Sequence, residues 1–97
     1  MQHFYLKLVP LRSTFAQDMS PEEQAIMHQH VVFWMGLMQQ GRVHVFGPVM
    51  DPTGVYGVGI VSAESEAEVR EMIAADPATQ INRYEVYAMR AILPPDR

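Results

Sequence analysis

The chain has 97 residues, 48% hydrophobic and only 19% charged, with no cysteine and a formal net charge of -4. That length suits one domain spanning residues 1–97 and not two, and the missing cysteines exclude disulfide frameworks and cysteine-based zinc sites. The acidic balance, without any run of basic residues, argues against nucleic acid as a partner, and a charged fraction below the usual value of about 25% leaves apolar surface for a partner to cover.

Phe4, Leu6 and Leu8 alternate with His3, Tyr5, Lys7 and Val9, the period of a strand that Pro10 ends. Leu11 to Met19 reads as a loop. Ser20-Pro21-Glu22-Glu23 is a helix start, with Ser20 as N-cap, Pro21 in the first helical position and Glu23 closing a capping box. The helix is expected from Pro21 to Gln40, stopped by Gly41. Arg42 to Met50 and Val55 to Ser62 are two strands joined through Asp51-Pro52-Thr53-Gly54, a hairpin. Ser65 to Glu68 repeats the capping-box pattern and opens a second helix on Val69, Met72 and Ile73, which Asp76-Pro77 ends. Arg83 to Ile92 is the last strand, with Tyr84, Val86 and Ala88 on one face and Glu85, Tyr87 and Met89 on the other. Residues 93–97 form a short proline-containing tail.

The order strand, helix, strand, strand, helix, strand with right-handed crossovers gives an α+β, ferredoxin-like βαββαβ layer: a four-stranded antiparallel sheet with both helices on one face. The other face would carry Tyr5 and Val9, Tyr87 and Met89, and one register of the second strand, either Val43 with Val45 or Phe46 with His44. Left to water this is a large apolar patch, and a homodimer packing sheet on sheet is the simplest way to bury it; assembly beyond a dimer stays open. The N-terminus lacks a basic n-region and a small-residue cleavage site, and the longest apolar run, Val31 to Met38, falls short of the roughly 20 residues of a membrane helix. The expectation is a cytoplasmic protein with no membrane association.

His30 is the position that points to chemistry. At about 100° per residue it lies inside the apolar arc of Ile26, Met27, Phe33, Trp34 and Leu37, whereas His28 falls on the opposite side. An imidazole there needs a hydrogen-bond partner, either a backbone carbonyl, in a purely structural role, or a carboxylate. Asp76 is the carboxylate to consider, because it sits at the unfavourable end of a helix dipole and something should compensate it. If the two helices lie side by side, the pair would meet in the groove between them; otherwise Asp-Pro is a helix terminator. Trp34, at the edge of the arc, lines a pocket for an aromatic ligand or packs in the core, and the methionines, Met27 among them, suit an adaptable lining or fill gaps. Arg12 in the first loop would neutralise a substrate carboxylate or enolate unless it is simply solvated. His28 and His30, two apart on a helix, cannot chelate one metal, and no metal or cofactor is expected. Gly54, Gly57 and Gly59 precede no helix and fit a tight hairpin and close backbone approach better than a phosphate loop.

His30 on its helix, Arg42 after Gly41, Gly47-Pro48, Gly54, and Ala74-Ala75-Asp76-Pro77 after a capped helix form an ordered set that resembles the YciI-like (YCII-related) family over Phe4 to about Ile92. The resemblance implies a dimeric α+β barrel of ferredoxin-like protomers with His30 and Asp76 as the active-site pair. It also implies acid-base chemistry without a metal on small, often cyclic or aromatic, oxygenated compounds. Met27 stands where many relatives carry Arg, and Ala78 where they carry an aromatic residue. Two functions follow: a small cofactor-independent lyase or isomerase with His30 as base or acid and Asp76 holding its tautomer, or a non-catalytic dimeric module that binds a small molecule or a protein.

Overall fold

The computed structural model describes residues 1–95. In chain order it contains β1 (Gln2–Pro10), α1 (Phe15–Asp18), α2 (Pro21–Gln39), β2 (Val43–Val49), β3 (Tyr56–Ala63), α3 (Glu66–Ala75), a 3-10 turn (Pro77–Gln80) and β4 (Asn82–Met89). The strands form one antiparallel sheet in the order β2-β3-β1-β4, the ferredoxin-like topology that the element order predicts.

Alternation along β1 sets the layers. Phe4, Leu6 and Leu8 are buried, and their ladder partners Val61, Val86 and Tyr84 share their face. On that face they pack with Trp34 and Leu37 of α2 and with Val69, Met72 and Ile73 of α3 into one core. α2 begins as predicted: the Ser20 hydroxyl accepts from the Glu23 N–H while the Glu23 carboxylate accepts from the Ser20 N–H, and Pro21 fills the first helical position. It ends at Gly41, whose φ of 78° is left-handed. Gly59 faces α2 and leaves room for it, and Gly57 leaves room for Leu8 of β1. A Cβ on Gly59 would lie 2.9 Å from the Trp34 ring, and one on Gly57 would lie 3.1 Å from Leu8.

Four details differ from the sequence reading. The segment from Leu11 to Met19 is not all loop, because Phe15 is buried and seeds the single turn α1, which the Thr14 hydroxyl and Arg12 tie down at Asp18. The start of α3 is half a capping box: Ser65 accepts from the Glu68 N–H, but the Glu68 carboxylate turns instead to Arg42, 3.3 Å away. β4 stops at Met89 rather than Ile92, since β1 offers its last partner there at His3. The tail has no regular structure through Pro95, and positions 96 and 97 lie outside the described residues.

The fourth difference concerns β2. Neither expected register holds along the whole strand, because a bulge sits between Val43, paired with Val61, and Val45, paired with Ile60. Val43 is buried in the core and Phe46 packs against that core, while Val45 faces away and is 56% exposed. His44, the extra residue, hydrogen-bonds the Ser62 hydroxyl and lies near His3, 5.4 Å between ring centroids. The helix-free face therefore carries His44, Val45, Tyr5, Ile60, Tyr87 and Met89 toward one end. Lys7, Glu85 and Arg83 lie toward the other. No helix among the described residues is long and apolar enough to cross a membrane.

Candidate active site

Burial along α2 follows the predicted arc. Trp34 and Leu37 are buried, Ile26, Met27, His30 and Phe33 are half-buried, and His28 is exposed. His30 and Trp34 are one turn apart and point the same way, so the imidazole and the indole reach one spot together. That spot is Asp76.

The Asp76 side chain is fully buried. His30 Nδ1 lies 2.8 Å from Oδ2 and 3.0 Å from Oδ1, Trp34 Nε1 donates to Oδ2 at 2.6 Å, the Tyr84 hydroxyl donates to the same oxygen, and the Ala78 N–H donates to Oδ1 at 2.9 Å. The two helices do not supply this site by lying side by side along their length. α2 packs against the 3-10 turn that follows α3, and Asp76 is both the last cap of α3 and the N-cap of that turn. This second role compensates the carboxylate's position at the wrong end of the α3 dipole.

Burial pushes the Asp76 carboxyl up, but the hydrogen bonds from His30, Tyr84 and Ala78 outweigh it and hold the group below its ordinary value of 3.8. The carboxylate is thus ionised and acts only as an acceptor, so Nδ1 of His30 carries a proton, and in the neutral ring the lone pair is on Nε2. Tyr84 is driven the other way, by burial first and then by the adjacent Asp76 charge, so its hydroxyl stays a donor.

His30 lines a cavity of about 350 Å³ whose wall also includes Met27, Trp34, Phe46, Asn82 and Tyr84. The size is that of a small-molecule site. Phe46 meets the imidazole edge-on at 6.5 Å and lies 5.9 Å from Trp34, while Tyr84 stacks on Trp34 at 6.3 Å. The imidazole side chain is 12% exposed; its Nδ1 is occupied by Asp76, and Nε2 has no partner among the described residues. The geometry therefore offers a proton acceptor, held in one tautomer, at the edge of an apolar space.

Of the residues singled out in the sequence, His30, Asp76 and Trp34 come together, and Met27 lines the same cavity. Arg12 lies elsewhere. Its guanidinium is committed to Asp18 at 2.7 Å and to both oxygens of Glu23 at 2.8 and 2.9 Å, and it is not among the cavity's lining residues. It braces the first loop against the start of α2, and with the Ser20 N–H it draws the Glu23 carboxyl down to about 2. Sequence reasoning missed Tyr84, Asn82 and Phe46. Tyr84 had a signal: a hydroxyl in the same row as Val86 faces the core and must find a partner there. Among the described residues, no three His, Asp or Glu side chains are grouped as metal ligands.

A search of curated proteins finds no match. Among solved structures, the chain is similar to 5-chloro-2-hydroxyhydroquinone dehydrochlorinase from Burkholderia phenoliruptrix AC1100, in complex with 2,5-dihydroxybenzoquinone. The TM-score is 0.66 at 18% identity, covering 90% of this chain and 93% of that one, so the likeness is one of fold. The family model of the YCII-related domain matches residues 5–93, nearly the whole chain, and the protein therefore belongs to the YCII-related family.

Proposed function

We propose that this protein is a small enzyme of lyase or isomerase type that uses His30 as general base, and then general acid, on a small cyclic or aromatic oxygenated compound. The observation that carries this reading is a histidine whose Nδ1 is held by a buried carboxylate while its ring lines an apolar cavity. Nε2 accepts a proton from an acidic C–H or O–H of the substrate, and Asp76, close to the other side of the ring, stabilises the imidazolium that forms. If a leaving group departs with its bonding pair, the outcome is elimination; if the proton returns to another carbon, it is isomerisation. The activity of the structural relative, a dehydrochlorination, belongs to the first type and is in line with this reading.

The test is turnover of chlorinated and unsubstituted hydroxyhydroquinones, followed by ultraviolet absorbance and chloride release, by the wild type and by His30→Gln. General acid-base catalysis contributes roughly 10²- to 10⁴-fold, and the variant should lose about that much in kcat. Equal rates in the two proteins would refute the mechanism. Saturable binding without turnover would leave a non-catalytic binding module in its place.

The active form is a homodimer that buries the helix-free sheet face. Support comes from the exposure on that face of Val45, Tyr87 and Met89, at 56%, 50% and 37%, which a two-fold interface covers by using the same patch twice.

A further inference from the structure

Besides His30, the cavity wall carries another polar side chain whose hydrogen bonding is only half complete. Asn82, the first residue of β4, is 8% exposed. Its Nδ2 donates to the Ala78 carbonyl at 3.1 Å and lies 3.5 Å from the Met27 sulfur. No group among the described residues donates to its Oδ1, and Pro10, opposite in the β1–β4 ladder, has no N–H to give. No buried side-chain oxygen or nitrogen is left orphaned among the described residues, so Oδ1 meets open space, and the open space against Asn82 is the cavity.

The orientation of this amide is fixed by the same residue that fixes Asp76. Ala78 is fully buried; its N–H holds Asp76 Oδ1 at 2.9 Å, and its carbonyl holds Asn82 Nδ2. The two acceptors that would face a ligand, Nε2 of His30 and Oδ1 of Asn82, are thus referenced to one peptide of the 3-10 turn. The cavity lining contains no Lys, Arg, Asp or Glu, and Arg12 is occupied by Asp18 and Glu23.

We propose that Asn82 Oδ1 accepts a hydrogen bond from a second hydroxyl of the substrate. The site then selects an uncharged ring bearing two hydroxyl groups, one for His30 and one for Asn82, and rejects rings that carry a carboxylate or phosphate. The proposal rests on reading the cavity as the substrate site. A pocket built to hydrogen-bond a hydroxyl discriminates strongly against an analogue lacking it, because its own polar group is then left unpaired. An anion brought into the same space loses its water and gains no cation.

Trp34 is the chain's single tryptophan and lines the cavity, so its fluorescence reports occupancy of this site. The experiment titrates wild type, Asn82→Leu and His30→Gln with catechol, resorcinol, hydroquinone, phenol, 4-methoxyphenol and 4-hydroxybenzoate. In the wild type the best diol should bind about tenfold or more tighter than phenol. 4-Methoxyphenol, whose capped oxygen cannot donate, should bind no better than phenol, and 4-hydroxybenzoate should not saturate. In Asn82→Leu the preference for a diol over phenol should fall to within twofold. His30→Gln keeps an acceptor and should keep the Asn82-dependent preference while losing turnover. The proposal is overturned if phenol and the diols bind the wild type equally, if the preference survives in Asn82→Leu, or if 4-hydroxybenzoate binds as well as phenol. The methoxy and carboxylate comparisons use the unaltered protein, so they decide the matter even if Asn82→Leu does not fold. Turnover that survives in His30→Gln would instead sink the acid-base reading and leave the binding result standing.

Discussion

Asp76 is the residue on which folding and the proposed chemistry both depend. It is a buried anion that four donors hold in place. Replacing it with alanine leaves the Trp34 N–H, the Tyr84 hydroxyl and His30 without their acceptor, a loss of about 3–5 kcal/mol for breaking a buried hydrogen-bonded pair; urea denaturation measures it. Asp76→Asn, which keeps the shape and removes the charge, isolates the pH-dependent part. The folded-state value lies below the ordinary 3.8, so the carboxylate's contribution is present in full above roughly pH 4 and is lost as pH falls through that lower value. The stability gap between wild type and Asp76→Asn should stay level near neutral pH and shrink steadily under acid; a gap that widens there would contradict the assignment. The pairing of His30 with Asp76 was legible because two anomalies pointed to each other: an imidazole inside an apolar arc and a carboxylate at the wrong end of a helix. Asn82 was not, and the row of Tyr84 implied only that its hydroxyl needs some partner, since strand alternation names the face a side chain takes but not what stands across from it.

The elements are held by local chemistry that can be tested in the same terms. Ser20→Ala removes one half of the α2 capping box and should cost about 1 kcal/mol. The Arg12 fork on Glu23 is a second brace on the same helix end. Because the Glu23 carboxyl is held near 2, by Arg12 first, this brace persists above the group's ordinary 4.5 and weakens as pH drops toward 2, and salt should weaken it too. Amide exchange in the first turn of α2 reads both effects. Gly59→Ala places a methyl group against the Trp34 ring, where overpacking costs about 1–3 kcal/mol. The ring that must shift is the one that donates to Asp76, so the variant should also lose activity beyond its loss of stability. The helices and the hairpin were readable from caps, period and glycines. The 3-10 turn was not, because Pro77 marks where a helix must stop without saying that Asp76 will cap another turn.

For the whole molecule, the two faces of the sheet differ. The face under α2 and α3 holds the core and the cavity, and the opposite face is the one the proposed dimer would bury. Val45→Lys or Tyr87→Glu should convert a dimer to a monomer in light scattering while leaving the His30–Asp76 geometry intact. A wild type already monomeric at micromolar concentration would remove the premise. Strand order was legible from the element order and right-handed crossovers, and the layers from alternation, yet β2 defeated the latter because alternation counts by twos and the bulge adds one. The surplus residue makes β2 a splice between two phases: Val43 answers to the core on one phase, and Phe46 reaches the cavity on the other. With the same residues and no bulge, Phe46 would point away from His30. Deleting His44, by contrast, would straighten the strand and still leave Phe46 against the imidazole. In β2, then, a shortening by one residue is gentler on the cavity wall than healing the bulge at full length, so chains differing in length at this point can share the same pocket.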